Sequence, residues 1–376
     1  MKIRKKEWKK RYLFIFSMFF LLWGVIGCKK EKLAKEDQWV MKEQIAEEMK
    51  EEKEIEETVK EKVKEDLHIG QEINPLTGLW IDEKAAKRRP VAVMINNHKR
   101  AWPHHGLAQA DVIYETLAEG EMTRLMAIFQ DFDAEKIGPI RSARHYYLDF
   151  AFDHDAIYVH YGQSIYAHRA FKELNVENLN GLSWLDEIMC WRDMERWKTK
   201  GQEHSAFTNA EKIMTAWNKV GYRSERQKDF PLIFHFFEED TIIEGENANE
   251  INLPFSYYLT SEFKYDVGLK KYKHFQSGEV HIDANTQEQL AFKNILIQLT
   301  DIWTIPNDPN FCRDMNLLTE GEGFYITNGK VMPVKWNKTS HHSPTQFVDL
   351  EGKPLQINKG NTWISIYPKN QRYEIQ

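Results

Sequence analysis

The run Val91-Ala-Val-Met-Ile-Asn96 limits the fold more than any other stretch of the chain. It follows Arg89-Pro90, holds no charge and is six residues long, so it reads as a central strand. Residues 111–116 and 123–130 read as further strands, parted by LAEGEM with its Gly120. Residues 146–152 then read as helix, 156–161 as strand and 164–174 as helix, an alternation that predicts a mixed α/β domain over 70–225. Within it, Thr208-x-x-Glu211 matches a capping box, with Gly221 past the expected helix end. Beyond about residue 225 the segments become short, aromatic-rich and alternating, as in EFKYDV and YKHFQSGEVHID, with SG, TNG and NKGN as turns. A β-rich domain is therefore expected over 226–376, and the fold class is α+β. No repeat is regular enough for a solenoid or a propeller.

The N-terminus carries an address. MKIRKKEWKKR holds seven basic residues and one acidic, and residues 12–27 follow without a charge. As a helix those residues would be roughly 24 Å long, short for a hydrocarbon core of about 30 Å. The run ends in Val25-Ile26-Gly27-Cys28 before Lys29-Lys30, which looks like a bacterial lipobox. Residues 1–27 are expected to be a cleaved signal peptide. Cys28 is then the lipidated N-terminus, which puts the body on the extracytoplasmic face of the cell membrane. An uncleaved anchor is the alternative. Acyl chains hold a protein firmly only when there are two or more. Residues 28–69 form a charged spacer, with ten basic and fourteen acidic residues between 29 and 66.

Without residues 1–27 the chain has 44 basic and 56 acidic residues, a formal charge of −12. No nucleic-acid partner is expected of such a body, since nonspecific binding needs a concentrated basic face. Cys190 and Cys312 are the other cysteines, expected as buried free thiols, and cannot form a cysteine metal cluster.

The chemistry concentrates in GPIRSARHYYLDFAFDHDAIYVHYG, residues 138–162. If the chain turns helical near residues 140–142, Arg141, Arg144 and His145 share a face. The helix start and Ser142 then add hydrogen bonds for a phosphate or carboxylate. The competing reading is a buried salt-bridge cluster, with Glu115, Glu119 or Asp149 as the acidic partner. Strand alternation puts Glu115 on one face with Ile113, while Glu119 and Glu121 follow in the connection. His160 ends a strand and His204 sits in a loop; either enters a pocket if the loops converge. No spacing predicts a metal, and no cofactor is expected. Ser261-Glu-Phe-Lys264 fits SxxK spacing without the companion motifs, and there is no GxSxG or P-loop.

NPLTGLW, RPVAVMINN, GLAQADVIYETLAEGEMTRLMAIF, the 138–162 stretch, CWRD and NTWISIYP together resemble the YerB-like bacterial lipoprotein family over nearly all of residues 74–367. The resemblance implies a lipid-anchored, two-domain extracytoplasmic protein and transfers no catalytic role. Where the family pattern often has glycine, this chain has Tyr161-Gly162-Gln163 and Glu119-Gly120-Glu121, which predicts a narrower cleft. The expected function is binding or protein interaction in the envelope, through a pocket of Glu115, Arg141, Ser142, Arg144, His160 and His204. Its partner is an envelope protein or an anionic small ligand. The alternative is an envelope hydrolase acting on a cell-wall or phosphorylated substrate, with a histidine as base or acid and Glu115 or Glu119 assisting.

Overall fold

The computed structural model describes Glu47, Met49, Lys50 and residues 68–376. Residues 1–27, Cys28 and nearly all of the 28–69 spacer lie outside the described residues. The chain divides into two units, Met1–Ile69 and Gly70–Gln376, and the second contains both regions expected from sequence.

A mixed α/β part comes first. Its strands in the large sheet are β1 (Val91–Asn96), β2 (Val112–Leu117), β3 (Thr123–Phe129), β4 (Ile157–His160) and β5 (Asn178–Asn180). Its longer helices are α1 (Tyr147–Phe152), α2 (Ile165–Glu173) and α3 (Ala210–Val220). Ser164 caps α2 by accepting from the Ala167 N–H. Asn209 rather than Thr208 caps α3, accepting from the Lys212 N–H, and Gly221 ends it in the left-handed region at φ +77°. The N-cap is thus displaced by one residue and the capping box does not form, because the Thr208 hydroxyl donates to the Met189 carbonyl and Lys212 stands at the third helical position.

A largely β part follows, with β6 (Glu250–Pro254), β7 (Thr260–Asp266), β8 (Lys271–Gln276), β9 (Asn294–Thr300), β10 (Glu320–Thr327), β11 (Lys330–Asn337) and β12 (Thr362–Pro368). The run NILIQLT that becomes β9 is, like β1, buried along nearly its whole length. It escapes an alternation search because a strand buried on both faces does not alternate.

The two parts share one eleven-stranded mixed sheet. Its central order is β11-β10-β9-β12-β2-β3-β1-β4-β5. The join is β12, parallel to β9 on one side and to β2 on the other, with Ile364 opposite both Leu296 and Tyr114. The composition change near residue 225 therefore marks a change of element type, and hydrogen bonding runs across it without a break. One face of the sheet, with Val93, Ile113 and Ile297, packs on α3 and on a six-stranded sheet that contains β6, β7 and β8. The other, with Met94, Tyr114 and Ile364, is covered by α1, α2 and loops such as 233–243.

A buried ion pair fastens α1 to the β-rich part. Lys338 Nζ lies 2.6 Å from Asp153 Oδ1, and both side chains are 1% exposed. Lys338 also donates to the Ser343 carbonyl, while the Thr345 N–H and hydroxyl satisfy Asp153. Removing one partner of such a pair leaves an uncompensated buried charge. Lys338→Ala is expected to lower unfolding stability by about 3–5 kcal/mol. Urea titration followed by circular dichroism measures it, and a loss near zero would mean that Asp153 is solvated.

Candidate functional site

Segment 138–144 does not form the expected helix. Arg141 N donates to Met94 O, Ala143 N donates to Gly162 O, and Ile140 and Ala143 make bridges to Ile95 and Gln163. The segment is extended because its backbone groups are taken by β1 and by the loop after β4. The helix starts only at Tyr147, and its six residues supply no anion site at their N-terminus.

Arg141 and Arg144 nevertheless reach one open cleft of about 1010 Å³. Asn96 and His98 line it from the end of β1, and Thr123 and Arg124 from β3. Gln163 and Ser164 come from before α2, Lys200 and His204 from the 200–204 turn, and Cys312 from the β-rich part. Five of its lining residues, Arg100, Arg124, Arg141, Arg144 and Lys200, are cations, against two carboxylates, Glu119 and Glu203. A chain with a formal charge of −6 thus gathers positive charge in one concavity.

The cations differ in how firmly they are held. Arg144 grips both oxygens of Glu119, with Nη2 to Oε2 at 2.7 Å. Arg124 donates to the Ser142 carbonyl at 2.8 Å and lies 3.5 Å from the same carboxylate. Burial works against the charge of Glu119, but the two guanidinium groups overcome it and hold the carboxyl at about 2. Burial, with Arg144 nearby, lowers Arg124 to about 10. Arg141 is held more loosely: it donates at 2.6 Å to Glu203, whose side chain is 66% exposed.

The remaining expected residues lie elsewhere. Glu119, not Glu115, orients the guanidinium, because strand alternation turns Glu115 with Ile113 toward the six-stranded sheet. His160 is fully buried behind the cleft, bonded to Gly162 O at 2.8 Å and to Asn178 Oδ1 at 3.0 Å, and its ring lies against Phe171. Ser142 Oγ donates to the Tyr161 carbonyl, so Ser142 contributes structure rather than a contact in the cleft. His145 belongs to a different hollow, 2.9 Å from Asp314. Asn96, His98, Arg100 and Arg124 line the cleft without having been singled out in the sequence; each looks like an ordinary strand or loop residue until the chain is folded. Ser261 and Lys264, three apart on β7, point to opposite faces, which disposes of the SxxK match. Cys190 and Cys312 are free and buried. Among the described residues no group of three or more His, Cys, Asp or Glu side chains could hold a metal ion, and no helix is long and apolar enough to cross a membrane.

Behind the cleft a chain of imidazoles joins the two sheets. His104 Nε2 meets the Asn96 carbonyl at 2.8 Å, so it must donate and leave Nδ1 as an acceptor. His281 Nε2 then donates to His104 Nδ1 at 2.8 Å, and His274 Nδ1 donates to His281 Nδ1 at 2.7 Å. The Ser261 hydroxyl completes the series by donating to His274 Nε2 at 2.8 Å. Burial pushes the Glu115 carboxyl up to about 7, although the Thr123 hydroxyl, which donates to Oε1 at 2.8 Å, opposes the shift.

Two family profiles match this chain: the N-terminal domain of a protein of unknown function, DUF3048, over residues 76–223, and the C-terminal domain of the same family over residues 251–364. A Bacillus subtilis (strain 168) protein named "Putative lipoprotein YerB" is 32% identical over 296 residues, 78% of this chain and 86% of that one. The chain belongs to the DUF3048 family. The crystal structure of the YerB protein from Bacillus subtilis agrees at a TM-score of 0.70 and 31% identity, covering 80% of this chain and 98% of that one. This DUF3048 member is therefore homologous to a protein named as a lipoprotein.

Burial holds the rings of His104 and His204 at about 4, that of His154 at about 3, and those of His274 and His281 below their ordinary value. In the unfolded chain all five take up protons below about pH 6.5, so their share of stability is lost as pH falls through that value. Asp111 and Glu115, both pushed up to about 7 by burial, act with the opposite sign, as does Asp153. Five histidines outweigh three carboxyls. The urea midpoint should therefore fall between pH 6.5 and 5, and a midpoint that rises over that interval would show that the imidazoles are not held neutral.

Proposed function

We propose that this protein is an envelope lipoprotein, anchored through Cys28 at the extracytoplasmic face of the cell membrane, whose folded body binds an anionic ligand in the basic cleft. The observation that carries the reading is the Arg141–Glu203 pair. The Arg141 side chain is 28% exposed in a net positive concavity, and among the described residues its guanidinium pairs with a carboxylate that solvent already reaches. An incoming anion can replace Glu203 at little cost, since an exposed pair is worth about 0–1 kcal/mol. Arg144 and Arg124 are the rigid part, fixed by Glu119 and adding field rather than a free fork. The volume of about 1010 Å³ accommodates more than a bare ion, so the anionic group is one end of a larger ligand. The anchor rests on the VIGC sequence before a charged spacer and on homology to a protein named as a lipoprotein. Mass spectrometry of the mature N-terminus tests it: a diacylglyceryl group on Cys28 supports it, and a chain retaining residues 1–27 refutes it.

Of the residues that the hydrolase alternative calls on, His160 and Glu115 do not line the cleft, whereas His204 and Glu119 do, and Glu119 is held there by Arg144 and Arg124. Binding is measured by calorimetric titration with sulfate at low ionic strength. Arg141→Ala should weaken sulfate binding by about tenfold or more, the value of a hydrogen bond between charged partners. Glu203→Gln should strengthen it, by freeing the same guanidinium. Unchanged affinity in both variants, with the fold intact, would remove the cleft as the binding site.

A further inference from the structure

Two histidines that the anion reading has not used stand side by side on the cleft wall. The rings of His98 and His204 stack with centroids 4.9 Å apart and planes 28° from parallel. The hydrogen bonds behind them fix the tautomer of both. Asn96 Nδ2 donates to the Glu203 carbonyl at 3.0 Å, and Asn96 Oδ1 accepts from the His98 N–H at 3.1 Å, so the orientation of this amide is decided by backbone groups. The same Nδ2 meets His204 Nδ1 at 2.9 Å, so that ring nitrogen must accept. The Arg100 backbone N–H meets His98 Nδ1 at 3.0 Å, and a backbone N–H can only donate. Each neutral ring therefore carries its proton on Nε2, on the side away from its locked nitrogen. Both rings line the cleft, which is thus offered two neutral N–H donors on rings stacked 4.9 Å apart.

We infer that His98 and His204, as neutral Nε2–H donors locked by Asn96 and the Arg100 backbone, form with Arg141 and Arg100 a subsite for the tetrahedral oxyanion group of the ligand. This rests on the anion-binding reading of the cleft and names the group it takes. A flat carboxylate presents two oxygens in one plane. A tetrahedral group also presents oxygens out of that plane, and here two parallel imidazoles and two guanidinium groups converge. Asn96 is a positioning residue: its side chain holds His204 and the start of the His98 loop, and its carbonyl is held in turn by His104.

The lock makes a distinctive statement about pH. A cationic imidazole would need a proton on Nδ1, where it would oppose the Asn96 or Arg100 N–H. The charged groups facing both rings are Arg100, Arg141 and Glu203, with Lys200, Arg124 and Glu119 elsewhere on the wall. The cations outnumber the carboxylates and disfavour added positive charge. Burial, then the neighbouring cations, lowers His204 to about 4 and moves His98 in the same direction.

Sulfate is the probe, because it stays a dianion across the range of interest, with acetate as the planar comparison. In the full-length protein, sulfate affinity should be flat between pH 5 and 8 and should exceed that for acetate. A rise approaching tenfold per unit below about pH 6.5 would mean that protonated imidazoles bind the anion, and would overturn the inference. His204→Ala should weaken sulfate binding by about tenfold, and His204→Gln, which restores an N–H donor, should recover most of it. Asn96→Ala should raise the pH at which His204 titrates and make sulfate binding pH-dependent. If Asn96→Ala does not fold, nitrogen-15 spectra of the wild-type imidazoles decide the lock without any ligand: Nε2–H on both rings supports it, and Nδ1–H on either refutes it. Sulfate binding lost in Arg141→Ala but indifferent to both His98→Ala and His204→Ala would sink this subsite and leave the cleft standing. No sulfate binding at all would sink both.

Discussion

The structure depends on one insertion: the strand Thr362–Pro368 lying parallel between Asn294–Thr300 and Val112–Leu117. Its backbone N–H and C=O groups serve two neighbours that belong to different stretches of the chain. Its side chains divide between the two cores, Trp363 and Tyr367 on one face and Ile364 and Ile366 on the other. Without it, β2 and β9 would be open edges, each a row of unpaired polar groups beside buried apolar surface. The cleft inherits its rigidity from this arrangement, because β3, whose end supplies Arg124, pairs with β2, and β1, whose end supplies Asn96, pairs with β3 in the same sheet.

Much of the mixed α/β part was legible in the sequence. β1, α1 and α2 follow from runs of apolar residues bounded by proline, glycine or a capping serine, signals that act over a few positions. The cleft was legible as a cluster of arginines but not as a geometry. Arg141 and Arg144 converge for a reason that a helical reading could not supply: the backbone between them is claimed by Met94 and Gly162, partners distant in sequence. Glu119 and Glu115 illustrate the same limit. Strand alternation correctly turned Glu115 with Ile113, but the carboxylate that meets the arginine sits in a connection, where local rules are silent. His160 looked available at a strand end, and is enclosed by Phe171 and Asn178 from elements that pack on it only in the folded chain.

Asn96 shows how closely the cleft and the interior are tied. One amide orients an imidazole of the cleft wall, while the carbonyl of the same residue anchors a buried series of three more, reaching Ser261 beside Glu115. Neutral rings in a fixed donor order are a sound way to cross a dry interior, since every polar nitrogen in the series is satisfied without placing a charge there. The arginines do the opposite at the surface, where charge is wanted and the Glu119 carboxylate keeps two of them from repelling each other.

The pairing of Thr362 with Val112 also has a consequence for how the protein is made. A chain synthesised from its N-terminus presents β1, β2 and β3 long before the strand that must lie against β2 exists. Contacts so far apart in sequence form slowly, because a long loop must close before they stabilise anything. Until then the half-built sheet keeps a waiting edge, the kind of surface on which exported chains misassemble or meet a chaperone. On the proposed export route that delay is an advantage: the N-terminal part cannot lock into its final sheet before the C-terminal segment has followed it through.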